Sequence, residues 1–190
     1  MLSWSAAPVS NTLLSNVAVS SKSSYTGKPS ISLINELVVI LPTLEADDGM
    51  GIYATKYPGN IIVSPDKDMR QIPGTLYNMD EIVNVEESEG QRWHLIQALA
   101  GDQTDGYAGV PGIGIKRAVA LFEDKGYTWE AVVDAFAEKD LGEDIALQNA
   151  RLAKILTNDD YDWKAKQPIL FTPSSDYRVD SGTGLQDKKA

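Results

Sequence analysis

From residue 36 onward the apolar positions fall into two patterns. Residues 37–41 (LVVIL) and 60–64 (NIIVS) are short β-branched runs, which predict buried strands, and residues 75–78 are a candidate third strand. Between the first two, residues 45–56 (EADDGMGIYATK) space Met50, Ile52, Tyr53 and Ala54 as a helix would, with acids in the first turn, where the helix dipole favours them. Two parallel strands joined by this crossover helix make a βαβ unit. Pro58 and Gly59 turn the chain into the second strand, and Pro73-Gly74 closes a short segment at 66–72.

The second half reads as helical. Residues 90–100 place Trp93, Ile96, Leu99 and Ala100 at helical spacing, and a glycine-rich loop, 101–112, follows. A helix over 113–125 turns Ile115, Val119, Leu121 and Phe122 inward. The next, 128–139, is N-capped by Thr128 and lined by Trp129, Val132, Val133 and Phe136. A last helix over 143–157 carries Leu147, Leu152, Ile155 and Leu156. Residues 174–190 are polar and read as a frayed end. No internal repeat is present.

Residues 1–36 break this order. The first 44 residues hold Lys22, Lys28 and Glu36 as their only charges, and ten serines fall within the first 32. No sustained period runs through them, so they read as a disordered Ser-rich leader. A basic n-region and an uninterrupted apolar core are both missing, so this is no secretory signal.

Charge and composition narrow the chemistry. The chain has 190 residues, a net charge of −10 and no cysteine, which excludes a disulfide scaffold, a thiolate zinc site and a thiol nucleophile. His94 is the single histidine, so a multi-histidine metal site is excluded. It sits on a helix beside Trp93 and Leu95, away from the acidic blocks, and reads as structural. No apolar run reaches membrane-spanning length, which predicts a cytoplasmic protein, in the host cell if it is phage-encoded. So acidic a chain does not hold nucleic acid by bulk charge, but a nucleic-acid enzyme can need carboxylates for metals.

Three acidic blocks meet that need. Glu45, Asp47 and Asp48 follow the first strand, and Asp66 and Asp68 follow the second. Both lie at carboxyl ends of strands, where α/β sheets place their sites. Asp102 and Asp105 open the glycine-rich loop. Seven carboxylates repel one another unless divalent cations sit between them, and Mg²⁺ or Mn²⁺ accepts such ligands. Two such ions about 4 Å apart form the arrangement that hydrolyses phosphodiesters. Each block has a plainer reading, as dipole compensation or an Asx turn; metal coordination becomes the better one when they are taken together.

The loop runs on through Gly109, Val110, Pro111, Gly112, Ile113, Gly114 and Ile115 to Lys116 and Arg117. Glycines let backbone approach a phosphate, and free N–H groups at a helix start bind it without reading sequence. The carbonyls of such a hairpin can hold a monovalent cation.

The ordered set EADD, SPDKDMRQIPG and GDQTDGYAGVPGIGIKRA resembles the bacteriophage 5′→3′ exonuclease branch of the flap-endonuclease superfamily, over about residues 37–157. The resemblance implies an α/β, PIN-like, mainly parallel sheet with helices, its N-terminal part incomplete, followed by an all-α helix–three-turn–helix region. The implied organisation is a leader (1–36), a partial metal-binding core (37–89), a DNA-binding helical region (90–160) and a tail (161–190). It implies Glu45, Asp47, Asp48, Asp66 and Asp68 around a first Mg²⁺ or Mn²⁺, and Asp102 and Asp105 beside a second. It implies Asp66, Asp68, Asp102 and Asp105 as the catalytic set, and Gly109, Val110, Gly112, Ile113, Gly114, Lys116 and Arg117 as the DNA-backbone and K⁺ hairpin, with Lys67 and Arg70 as further phosphate contacts. The implied activity is 5′→3′ degradation of duplex DNA and removal of flaps or RNA primers, on DNA and RNA–DNA hybrids, in phage replication and recombination.

The family's first strand carries an aspartate ligand and is followed by a second aspartate and a basic arch, yet residues 1–44 contain no Asp and no Arg. The abrupt change near residue 36 suggests an out-of-frame leader joined to a genuine exonuclease remainder. A second reading is therefore a non-catalytic DNA-binding remnant, and a third is an acidic interaction protein or DNA mimic.

Overall fold

The computed structural model describes Leu41 and residues 43–180. The leader at 1–36 and the strand expected at 37–41, Leu41 apart, lie outside the described residues, as does the tail beyond 180.

The elements run α1 (Ala46–Lys56), β1 (Ile61–Val63), a 3₁₀ turn (Lys67–Gln71), β2 (Gly74–Tyr77), β3 (Ile82–Val85), α2 (Glu87–Ala100), α3 (Ile115–Lys125), α4 (Trp129–Ala137), α5 (Glu143–Ala153), a 3₁₀ turn (Asn158–Asp160) and the small ladder β4 (Tyr161–Asp162) and β5 (Gln167–Pro168). This is an α/β fold followed by a helical region. β1 and β2 pair in parallel, with Ile62 opposite Leu76, across a connection that holds only the 3₁₀ turn; the predicted pairing of 37–41 with 60–64 through the crossover helix involves residues outside the described ones. The sheet gains an antiparallel strand the pattern does not announce: β3 pairs β2 with Thr75 opposite Asn84. Ile82 and Asn84 are exposed on it, so its sequence lacks the apolar signature of a buried strand. Among the described residues the sheet is thus mixed.

Two larger cores and a satellite hold these elements. Ile62, Leu76 and Val85 of the sheet pack with Met50 of α1, Met69, Ile72 and Ile155. Leu95, Ile96 and Leu99 of α2 pack with Phe122, Trp129, Val132, Phe136, Ala146 and Ala150 of the other helices. α2 is central, buried at every position from His94 to Leu99, so no polar stripe marks its pattern. The satellite joins Ile52 of α1 to Leu156 and Tyr161, with Tyr53 and Trp163 against it.

Three expectations need correction. The last helix ends at Ala153, not 157, because Lys154 turns extended and sends Ile155 and Leu156 into the other two cores. Leu152 faces solvent; the inward positions of α5 are Ala146, Asn149, Ala150 and Ala153. Residues 174–180 are packed rather than frayed: Val179 is buried, its N–H donates to the Tyr127 carbonyl (2.8 Å), and Trp129 N–H donates to the Tyr177 carbonyl (3.0 Å). Thr128 caps α4 as expected, its Oγ1 accepting the Ala131 N–H at 3.1 Å. Among the described residues no helix is long and apolar enough to cross a membrane.

Candidate metal centre and phosphate loop

The centre is built from turns at the ends of ordered elements. β1 ends at Val63, and Ser64 Oγ accepts the Asp66 N–H (3.1 Å). Asp66 Oδ1 then accepts the Asp68 N–H (2.9 Å), capping the 3₁₀ turn that carries Asp68. α2 ends at Ala100, and a two-way backbone bridge between Asp102 and Tyr107 (3.0 Å each way) closes a tight loop. Asp102 Oδ1 accepts the Thr104 N–H (2.8 Å) within it. The two turns meet. Asp68, Asp102 and Asp105 each offer a carboxylate oxygen, and these oxygens lie within 4.8 Å of one another. Among the described residues, Asp68 Oδ1 is buried with no hydrogen-bond partner.

Charge crowding marks the same place. Burial, then Asp66, Glu45, Asp48 and Asp68, push the Asp47 carboxyl up to about 6. Burial raises Asp68 too, with Asp66 adding to it and Lys67 opposing. Asp105 is raised by burial and by Asp102. Asp102 alone is held low, chiefly by the Thr104 N–H and then by Lys67. Lys67 Nζ stands 3.6 Å from Asp102 Oδ2, so it faces the carboxylates here. A buried, unpartnered carboxylate oxygen among like charges is the donor set a hard divalent cation satisfies, so the residues fit such an ion.

The other expected ligands are placed unequally. Asp47, at the start of α1, is an electrostatic neighbour of Asp66 and Asp68. Asp48 has one oxygen engaged: Oδ1 accepts the Leu156 N–H (3.0 Å), which ties α1 to the chain leaving α5. Glu45 is the exposed residue before α1. Arg70 lies half-buried on the 3₁₀ turn.

The loop runs from this centre into α3. Gly101 and Gly109 adopt positive φ (70° and 62°) where two stretches of backbone touch; a Cβ on Gly101 would overlap the Ala108 carbonyl, and one on Gly109 would overlap Gly101. Gly109 N–H donates to Asn149 Oδ1 (2.8 Å), and Val110 N–H donates to the Leu99 carbonyl (2.8 Å). Val110 is buried as an anchor, and the exposed tip, Pro111 and Gly112, leads to Gly114, which starts α3 with no side-chain cap. Lys116 and Arg117 are exposed in the first turn, and Arg117 Nη1 donates to the Gly112 carbonyl (2.6 Å). The turn therefore presents a helix N-terminus and two exposed cations a few residues along the chain from the acidic loop.

Three contributors escape the sequence reading. Tyr107 is buried among Asp68, Asp102 and Asp105, which with burial drive its hydroxyl far above the ordinary tyrosine value. Its place in DGY was the only available signal. Asn149 and Gln71 are buried amides that reach distant parts of the chain, Asn149 Oδ1 accepting the Gly109 N–H and Gln71 Nε2 donating to the Ala153 carbonyl, and no motif marks them. His94 is structural as expected: its Nε2 lies 2.7 Å from the Ala150 carbonyl, and burial pulls its pKa down to about 4.

No family model matches the chain. It is 26% identical over 172 residues to the exodeoxyribonuclease of Enterobacteria phage T3, a match spanning 70% of this chain and 57% of the phage protein. It is 28% identical over 116 residues to a 5′-3′ exonuclease of Halalkalibacterium halodurans, covering 50% of this chain and 38% of that protein. The chain thus spans little more than half the length of the phage relative. Among solved structures, a lysine-to-alanine mutant of T5 5′-exonuclease overlays 58% of this chain and 55% of its own, with a TM-score of 0.48 and 19% identity.

Proposed function

As a relative of phage exodeoxyribonucleases and bacterial 5′-3′ exonucleases, this chain, we propose, is a divalent-metal-dependent nuclease that hydrolyses DNA phosphodiesters from 5′ ends. The observation that carries the reading is the meeting of Asp68 with Asp102 and Asp105, which come from opposite ends of the β2–β3–α2 stretch, around a buried carboxylate oxygen that nothing else satisfies. Asp68, Asp102 and Asp105 would hold one Mg²⁺ or Mn²⁺, and Glu45, Asp47, Asp48 and Asp66 are the further carboxylates available for a second. When bound, the metal supplies Lewis acidity and charge neutralisation at the scissile phosphate.

The chain's own residues do the rest. The N–H groups at the start of α3, with Lys116 and Arg117, grip a DNA phosphate next to the centre. Gly109, Val110, Gly112, Ile113 and Gly114 shape that grip. The Val110 carbonyl accepts the Ile113 N–H and the Gly112 carbonyl accepts Arg117, which leaves each a lone pair for K⁺. Lys67 and Arg70, both on the 3₁₀ turn that carries Asp68, are the further cations for phosphate. Flaps, RNA primers and RNA–DNA hybrids are further substrates, and phage replication and recombination in the host cytoplasm are the setting. The organisation is a leader at 1–36, a metal-binding core at 37–89, a DNA-binding helical region at 90–160 and a C-terminal segment at 161–190.

Duplex DNA labelled at either the 5′ or the 3′ end tests the polarity. Short products appearing first from the 5′ label, only with Mg²⁺, are the expected result. Mg²⁺-dependent binding to the duplex without cleavage would replace the reading with a DNA-binding remnant. Failure to bind duplex at all would leave an acidic interaction protein.

A further inference from the structure

Gln71 is buried, and its amide is fully engaged across three parts of the chain. Its Nε2 donates to Gln97 Oε1 of α2 (2.6 Å) and to the Ala153 carbonyl at the end of α5 (2.6 Å). Its Oε1 accepts the Ile155 N–H (3.0 Å). Each part leads directly to an acidic block. Gln71 closes the 3₁₀ turn that bears Asp68. Gln97 stands one turn before the end of α2, and the Gln97 carbonyl accepts the Gly101 N–H (2.9 Å) just ahead of Asp102. The residue after Ile155 is Leu156, whose N–H holds Asp48. The backbone is locked at the same point, because Gly90 of α2 packs against the Gln71 carbonyl where a Cβ would overlap it.

A buried amide is costly unless every bond is made, and an apolar side chain of this size would fill the space as well. What apolar packing cannot supply is direction. Three bonds of fixed geometry set the 3₁₀ turn against both the end of α2 and the exit of α5.

We infer that Gln71 is a positioning residue of the metal centre, fixing Asp68 against Asp102 and Asp105 and holding the chain that anchors Asp48. This rests on the metal reading of that centre. Partners bonded directly to ligands are worth about 10- to 100-fold in metal affinity; Gln71 acts one step back, through the backbone that carries Asp68, so its effect belongs at the low end, about tenfold.

Mn²⁺ binding to the full chain, followed by the electron paramagnetic resonance signal of free Mn²⁺, tests it. The comparison runs across wild type, Gln71→Met, Asp68→Asn and Phe136→Leu, all well below their melting temperatures. Phe136 is fully buried in the helical core, so its variant is a destabilised control away from the centre. The expected result is an affinity about tenfold weaker in Gln71→Met and unchanged in Phe136→Leu, with both folded by circular dichroism. Should Gln71→Met fail to fold, Gln97→Met removes the same bond from the α2 side and is expected to weaken Mn²⁺ binding likewise. Wild-type affinity in the folded Gln71→Met chain, with binding lost in Asp68→Asn, overturns the positioning role and leaves the metal reading standing. Absence of Mn²⁺ binding in wild type, or wild-type binding in Asp68→Asn, overturns the metal reading and the positioning role with it.

Discussion

Asp68 concentrates the chemistry at the residue scale. One of its oxygens is buried without a partner while Asp66, Asp102 and Asp105 surround it, a state that costs free energy until a cation arrives. Asp68→Asn removes that charge at nearly constant volume. We expect it to abolish cleavage and to raise the melting temperature of the metal-free chain, since like-charge repulsion falls; equal melting temperatures would show that the crowding is not felt. Two side chains set the pH response in opposite senses. His94 is held neutral with a pKa near 4 against an ordinary 6.5, so its contribution is full above pH 6.5 and is lost as pH falls towards 4, at roughly 1.4 kcal/mol per pKa unit. Asp47, raised to about 6 from 3.8, does the reverse: the metal-free fold gains as pH falls from about 6 to 4. Asp47→Asn should therefore steepen the fall in melting temperature between pH 6.5 and 4.5, measured in EDTA. In wild type, protons on Asp47 compete with metal, so Mn²⁺ affinity should climb as pH rises through about 6.

At the scale of elements, local chemistry explains which features can be read from sequence. α1, β1, β2 and α4 were legible because each carries its own signal, an apolar run or a cap such as Thr128. The acidic blocks are visible as clusters in the sequence, but the meeting of Asp68 with Asp102 and Asp105 is not, because it is made by two turns far apart in the chain. β3 was not, because an exposed edge strand needs no apolar face, and the end of α5 was misread because Ile155 and Leu156 continue its apolar spacing while packing elsewhere. Residues 174–180 looked frayed because their anchoring is by backbone bonds to Tyr127 and Trp129, which leave no mark on composition. Deleting residues 174–190 should lower stability by about 2 kcal/mol, the order expected for losing the buried Val179 side chain from the helical core. The loop makes a sharper prediction. Asn149 Oδ1 is the partner of the buried Gly109 N–H, so Asn149→Leu should cost about 1–3 kcal/mol by leaving that donor unsatisfied. Its effect on duplex binding should exceed that of the truncation, because it loosens the turn that feeds α3. Equal binding by the two variants would detach the loop from DNA.

Across the whole molecule, a net charge of −10 has to be reconciled with a polyanionic substrate. Placement is part of the answer: Asp68, Asp102 and Asp105 meet at one centre, whose charge the proposed metal would neutralise, and Lys116 and Arg117 stand exposed in the first turn of α3. With two to four cations proposed to meet phosphate, duplex binding should depend weakly on salt, with a log–log slope of about −2 to −4 at fixed Mg²⁺. A slope near −8 would mean a broad basic surface elsewhere. The cores bind the centre to this grip, since Ile155 enters the sheet core and Leu156 the α1 satellite while the rest of α5 packs with α2. The central claim is that the Asp66/Asp68 and Asp102/Asp105 blocks form one metal centre that cleaves DNA. The most direct test is the rate of product release from 5′-labelled duplex DNA in Mg²⁺, for wild type, Asp68→Asn, Asp102→Asn and the double variant. The account predicts that each single variant loses nearly all of the EDTA-sensitive rate and that the double variant is no worse, as expected for residues acting as a unit. Retention of the wild-type rate in either single variant would contradict it.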